Sequence, residues 1–264
     1  MGGNGNDTLF GGFGDDLLDG GEGADSLNGG QGIDTVDYSG SDTIGVIIDL
    51  NTNTALRGDA DGDTLISIEN LIGTGFGDSF AGNSDDNIFF GLDGIDRLVG
   101  GAGDDRLDGG TGDDIVRGND GDDTVFGGDG DDIVFGGFGE DNINGGTGID
   151  TLLGGTGNDI IDGRGGFDTL NGGTGDDVLT GGFNADTFIF EDGFGNDTIT
   201  DFASTSNAER IDLSAVSEFI DFADLTANHL TQSGADTIID DGAGNTITLT
   251  GVNLTDLDAI DFVF

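Results

Sequence analysis

Gly100-Gly101-Ala102-Gly103-Asp104-Asp105-Arg106-Leu107-Asp108 runs directly into Gly109-Gly110-Thr111-Gly112-Asp113-Asp114-Ile115-Val116-Arg117. Both nonapeptides follow one template, Gly-Gly-x-Gly-x-Asp-x-apolar-x. A short fixed period outranks local propensity as a guide to fold, because each unit buries its apolar face only against its neighbours. The template extends in both directions. A central array begins at Gly73 and keeps nine-residue register through the unit at Gly181, and a last unit, displaced by two residues, begins at Asp192. An N-terminal array starts units at Gly2, Gly11, Gly20 and Gly29. Across these eighteen units the eighth position is always apolar, from Leu9 to Ile199, and the sixth is Asp in every unit but that of Asn87.

The two halves of the unit have different physical tasks. Gly-Gly-x-Gly-x-Asp turns tightly, using left-handed backbone conformations that glycine adopts freely. The x-apolar-x half is a three-residue strand whose middle side chain points inward. Two units make one coil of turn, strand, turn, strand. The predicted fold is all-β: a parallel β-roll, a right-handed β-solenoid of nonapeptide repeats, with a β-rich C-terminal cap. Turns on one edge recur every second unit, so Asp105 should face Asp123 and Asp114 should face Asp132. Such stacked carboxylates and carbonyl-rich turns suit a hard divalent ion, and calcium tolerates irregular oxygen geometry better than magnesium. Transition metals prefer nitrogen or sulfur donors, which the repeats lack.

Composition points the same way. The chain of 264 residues has 56 Gly, no Pro, Cys or Trp, and 54 acidic against 6 basic residues, a formal charge of −48. Net repulsion of this size opposes a compact state, and glycine adds to the entropy lost on folding. Either the chain is unfolded or something cationic folds it. The charge argues against nucleic acid and anionic membrane surfaces as partners, and no apolar run is long enough for membrane insertion as a helix. Without cysteine there are no disulfides, thiolate metal sites or thiol catalysis. The start, Met1-Gly2-Gly3-Asn4-Gly5, lacks the basic and apolar regions of a cleavable signal peptide.

The repeat resembles the RTX (repeats-in-toxin) family found in hemolysin-type toxins, serralysin-like proteases, lipases and alginate-modifying enzymes. The likeness covers residues 2–37 and 73–200. It implies a β-roll with roughly a dozen calcium ions, Ca2+, between stacked turns. By this resemblance the carboxylate ligands are Asp7, Asp16, Asp25, Asp34, Asp96, Asp105, Asp114, Asp123, Asp132, Asp141, Asp150, Asp159, Asp168, Asp177 and Asp186. Backbone carbonyls of the glycine turns join them: Gly100, Gly103, Gly109, Gly112, Gly118, Gly121, Gly127, Gly130, Gly136, Gly139, Gly145, Gly148, Gly154 and Gly157. Phe76, Asp85 and Asn184 stand where the template has its fourth-position Gly, and Arg164 where it has its second. Binding is therefore expected to concentrate at residues 2–37 and 91–182, away from Gly73–Phe90 and Asn184. An ion that binds only the folded chain at tenfold its Kd stabilises it by about 1.4 kcal/mol per site. A dozen sites then give on the order of 15 kcal/mol, comparable to the stability of a whole domain. Extracellular modules bind calcium at about 0.1–1 mM, so the chain is expected to stay unfolded in a cytosol and fold outside.

Two segments leave the template. Residues 38–72 are out of nine-residue phase; Val46-Ile47-Ile48-Asp49-Leu50 and Leu65-Ile66-Ser67-Ile68 read as strands that continue the sheets with longer coils. Asp59-Ala60-Asp61-Gly62-Asp63 has its Gly at the fourth place where an EF-hand loop has it at the sixth, and is read as an acidic turn. Residues 201–264 form the cap, with Thr246-Ile247-Thr248-Leu249 as a strand and 217–225 as a short helix. Asp201-Phe202, Ile211-Asp212-Leu213-Ser214 and 247–252 resemble the C-terminal part of serralysin-type proteases, and Asp261-Phe262-Val263-Phe264 is similar to the uncleaved signal read by type I secretion machinery. His229, the only histidine, has neither an H-E-x-x-H motif nor a nucleophile elbow nearby, and paired Asp residues recur with the repeat, so no enzyme is expected in this chain. The reading is a non-catalytic, secreted, extracellular calcium-binding module. The alternatives are the C-terminal portion of a larger secreted enzyme, or a surface adhesin or matrix spacer with an extracellular glycan or surface ligand.

Overall fold

The computed structural model describes residues 1–41, 43–204 and 209–264, so residue 42 of the insert and residues 205–208 of the cap lie outside it. The chain forms two compact units, Met1–Ile133 and Val134–Phe264. In both, the x-apolar-x halves are strands and the glycine halves are turns, giving a parallel β-solenoid.

In the first unit, one sheet runs Leu17–Leu18, Thr35–Asp37, Asn70–Ile72, Ile88–Asp93, Arg106–Thr111, Thr124–Asp129, all parallel. A second runs Ile47–Asp49, Ser79–Ala81, Arg97–Ala102, Ile115–Asp120, and a third joins Thr8–Phe13, Ser26–Gln31 and Thr64–Ile66. In the array the register step is eighteen residues, as two nonapeptides per coil require: Leu98 pairs with Val116 and Leu107 with Val125. The insert lends three strands to these parallel sheets. Its fourth, Thr54–Leu56, turns back antiparallel on Ile47–Asp49, a hairpin that the sequence pattern did not indicate.

In the second unit, Asn142–Gly148, Ile160–Gly166, Val178–Thr180, Asn196–Ile199 and Thr246–Leu249 form one parallel run. The antiparallel strands Asp236–Asp240 and Leu230–Ser233 close it. The other sheet runs Thr151–Thr156, Thr169–Thr174, Thr187–Glu191, Arg210–Ala215, Phe262–Val263. The two-residue displacement appears as Leu179 paired with Ile199, twenty residues on. The helix expected over 217–225 begins later, at Phe222–Asp224, and passes into a wider turn over Leu225–His229. Asp221 decides where it starts, since its carboxylate accepts the Asp224 N–H at 2.8 Å.

The core is the eighth-position column. From Leu27 onward these side chains are fully buried, at 0 % exposure, through the aliphatic run and the edge-to-face pair Phe80–Phe89, 5.6 Å apart. Only the first, Leu9, is half-exposed. Each strand residue on either side of the column faces outward, so a coil has little apolar material beyond two side chains. Its stability must come from the stack and from what the turns hold.

Candidate metal centres

The sixth-position Asp residues sit at the foot of each strand, where the turn ends, and form columns along the stack. Each backbone N–H donates to the carboxylate one coil further on. Asp96 donates to Asp114 Oδ1 at 2.7 Å, Asp105 to Asp123 at 2.7 Å, and Asp114 to Asp132 at 2.8 Å. Asp141 to Asp159, Asp150 to Asp168, Asp159 to Asp177 and Asp168 to Asp186 repeat the pattern at 2.8–2.9 Å. In the N-terminal array Asp7 meets Asp25 and Asp16 meets Asp34. The expected facing pairs are therefore brought together.

The second carboxylate oxygen decides what these columns are for. Oδ2 of Asp7, Asp16, Asp25, Asp34, Asp96, Asp105, Asp114, Asp159, Asp168, Asp177 and Asp186 is buried with no hydrogen-bond partner. Burying an ionised carboxylate without compensation is costly, and a native structure rarely repeats that cost. Each such oxygen lies over the first-position glycine of its own turn, as Asp114 Oδ2 does at Gly109 and Asp159 Oδ2 at Gly154, where any Cβ would collide with it. The fourth-position glycines Gly103, Gly112, Gly121, Gly130, Gly139, Gly148 and Gly157 all have φ between +105° and +139°. They stack so closely that a side chain at Gly112 would overlap the Gly94 carbonyl. First-position Gly100, Gly118, Gly127, Gly136 and Gly145 open the same turns. Among the described residues no three carboxylate or histidine side chains converge, so backbone carbonyls would have to complete the shell of any ion here.

Burial acts on the protonation of these groups as it should without a cation. It pushes Asp96, Asp105, Asp159 and Asp168 up to about 7 and Asp114 to about 6, opposed by the accepted N–H and reinforced by neighbouring carboxylates. Asp177 and Asp186 move up for the same first reason.

Two turns are built differently. Phe76 and Asp85 do not adopt the left-handed conformation of the glycines they replace. Their turns refold so that the Thr74 N–H reaches Asp78 Oδ2 at 2.6 Å and the Asn83 N–H reaches Asn87 Oδ1 at 3.1 Å. The Thr74 hydroxyl also donates to Asp78 Oδ1 at 3.1 Å. These two turns satisfy their own sixth-position groups. Asn184 behaves otherwise: at φ +84° it keeps the left-handed turn, and Asp186 Oδ2 stays unpartnered. The fourth-position substitution there leaves the arrangement of the regular units intact.

The columns also take in residues outside the template. Asp25 N–H donates to Asp63 Oδ1 at 2.7 Å, and Asp63 Oδ2 accepts the Tyr38 hydroxyl at 2.9 Å, so the acidic turn of the insert ends in a satisfied structural carboxylate. Asp34 N–H donates to Glu69 Oε2 at 2.8 Å. Glu209, whose carboxyl burial raises to about 7, stands at the corresponding sequence position before Arg210–Ala215, but its carboxylate accepts the Ala203 N–H at 2.7 Å. The signal was present in half-motifs: Asp63-Thr64-Leu65-Ile66, Glu69-Asn70-Leu71-Ile72 and Glu209-Arg210-Ile211-Asp212 all read acid-x-apolar-x without a glycine turn. His229 sits in the cap with Nδ1 2.6 Å from the Asp240 carbonyl and its ring edge-on to Phe219, a packing arrangement.

Residues 1–36 and overlapping stretches from 68 to 199 match the RTX calcium-binding nonapeptide repeat (4 copies). The chain belongs to this family. No curated protein sequence matches the RTX chain. Among solved structures, it is similar to the AlgE6R3 subunit of the Azotobacter vinelandii mannuronan C5-epimerase, with 32% identity over 49% of this chain and 80% of that one, at TM-score 0.40. It also matches the extracellular lipase LipA of Serratia marcescens, with 18% identity over 71% of this chain and 40% of the lipase, at TM-score 0.31. Among the described residues, no helix of the RTX chain is long and apolar enough to cross a membrane.

Proposed function

We propose that this chain is a non-catalytic calcium-binding module, exported unfolded through type I machinery and folded by calcium outside the cell. The observation that carries the reading is the row of buried Oδ2 atoms without partners. They are hard anionic donors in a fold with almost no cationic side chains, and a divalent cation would meet them with oxygen ligands alone. The ions would be held by the sixth-position carboxylates with carbonyls of the glycine turns. The turns of Asp78 and Asn87, being self-satisfied, take none. Export before folding is supported by the other end of the molecule: Asp261 and Phe262 are 1 % and 5 % exposed, so machinery that reads them must do so before the cap closes. Low cytosolic calcium would keep them available.

The test is export from a host carrying a type I exporter. The intact chain is expected in the medium, and a chain lacking residues 261–264 is expected to stay inside the cell. Undiminished export of the shortened chain would remove the secretion signal from the account. Flow dialysis of the purified protein should count about a dozen calcium ions at millimolar concentration, and a count near zero would remove calcium.

A further inference from the structure

The fifth position of the nonapeptide is an unspecified x in the template, yet its side chain forms a second ladder. The Asp104 N–H donates to Asp86 Oδ1 at 2.9 Å, Asp122 to Asp104 at 3.0 Å, and Asp131 to Asp113 at 3.0 Å. Ile33 to Asp15 and Asp176 to Asn158 repeat the contact at 2.9 and 2.8 Å. These bonds run backward along the stack, whereas the sixth-position bonds run forward. The adjacent amides of Asp104 and Asp105 therefore donate in opposite directions, to Asp86 and to Asp123.

The backward bond has a geometric consequence for the turn. The N–H of Asp104 and the carbonyl of Gly103 belong to one planar trans peptide, so they point in opposite directions. Anchoring the N–H on Asp86 holds the Gly103 carbonyl forward, and that oxygen does lie where a Cβ on Gly121 would sit. The unclasped Gly94 and Gly112 carbonyls face the same way, so the clasp steadies this orientation and does not create it. We infer that the fifth-position Asp or Asn is a positioning residue for calcium binding, one that steadies the fourth-position carbonyl through the shared peptide. This rests on the calcium reading above. The need is for an acceptor and not for charge, because Asn158 makes the same bond as the aspartates. All these fifth-position side chains are solvent-exposed, so their contribution does not come through the apolar core. Where the fifth residue is apolar, as at Ile95, 69 % exposed, or Phe167, 57 % exposed, the side chain offers no acceptor. The ladder thus sorts the repeats into clasped turns and unclasped ones.

The experiment compares Asp104→Ala, Asp104→Asn and Ile95→Asn in the full chain. The readouts are calcium affinity at each turn by residue-resolved NMR titration, and amide exchange at Asp122 in the calcium-loaded protein. Asp104→Ala is expected to weaken calcium at the Gly121 turn, whose Asp122 N–H it clasps, and to speed exchange at Asp122, each about fivefold, the worth of one net hydrogen bond. Asp104→Asn should stay within about twofold of the parent on both readouts, and Ile95→Asn, which offers an acceptor to the Asp113 N–H, should tighten the Gly112 turn by about fivefold. If Asp104→Ala binds as the parent does, or Asp104→Asn falls as far as Asp104→Ala, the positioning role is overturned. Asp105→Asn, in the sixth-position column, is the control. It must weaken calcium binding, and if it does not, the calcium reading itself fails before the ladder is judged.

Discussion

Stripped of calcium at pH 7.5, the protein is expected to lose its β-type circular dichroism and to expand toward the dimensions of an unfolded chain. Return of millimolar calcium should restore both. The reason lies in the turns more than the core. A coil contributes two inward side chains, such as Leu98 and Leu107, and its strand residues otherwise face solvent. Against that small apolar gain stand a formal charge of −48 and 56 glycines, which favour the expanded chain through repulsion and conformational entropy. At least eleven buried Oδ2 atoms without a hydrogen-bond partner add a desolvation cost that at pH 7.5 a bound cation removes. The response should not be uniform. Residues 70–99 hold the self-satisfied turns of Asp78 and Asn87, the Phe80–Phe89 pair and the Asn87 side-chain bond to the Glu69 carbonyl at 2.7 Å. This stretch is expected to keep the most amide protection as calcium is withdrawn. Unchanged dichroism and radius after chelation would contradict the folding switch.

Acid should partly replace calcium. In the metal-free fold, burial raises Asp96, Asp105, Asp159 and Asp168 from an ordinary 3.8 to about 7. A carboxyl with a raised folded pKa binds its proton more tightly in the folded chain than in the unfolded one. Stability of the metal-free roll is therefore greatest below pH 3.8 with respect to these groups, and it falls as pH rises from there through about 7. Chelated protein that is expanded at pH 8 should regain compactness on titration to pH 5, and less calcium should be needed for folding at pH 6 than at pH 8, because protonated carboxyls already stabilise the roll. Dichroism against pH at fixed chelator measures the first, and calcium midpoints at pH 6 and pH 8 measure the second. A metal-free protein that became less ordered between pH 8 and pH 5 would reverse the predicted sign.

The coil, its register and its core were readable because the repeat makes position and environment the same thing: every eighth residue is apolar, and every one that has neighbours on both sides is buried. The aspartate columns were readable for the same reason. What escaped the pattern was whatever depends on backbone direction. Nothing in the letters of Asp104-Asp105 says that two neighbouring amides point opposite ways along the stack. Nor does the sequence distinguish Asn184, which tolerates a left-handed backbone and keeps its turn, from Phe76, which does not and rebuilds it. Asn accepts that conformation more readily than a bulky aromatic does, so the difference has a clear cause once φ is known. Asp63 and Glu69 were hidden because their glycine turns are missing and the chain reaches the same place by a longer path.

The most direct test is a crystal grown in millimolar calcium and imaged by anomalous scattering. The account predicts ions about 2.3–2.6 Å from Oδ2 of Asp96, Asp105, Asp114, Asp159, Asp168 and Asp177, and none at the turns of Asp78 and Asn87. Ions at those two turns, or Oδ2 atoms that meet only water in the regular ones, would contradict it.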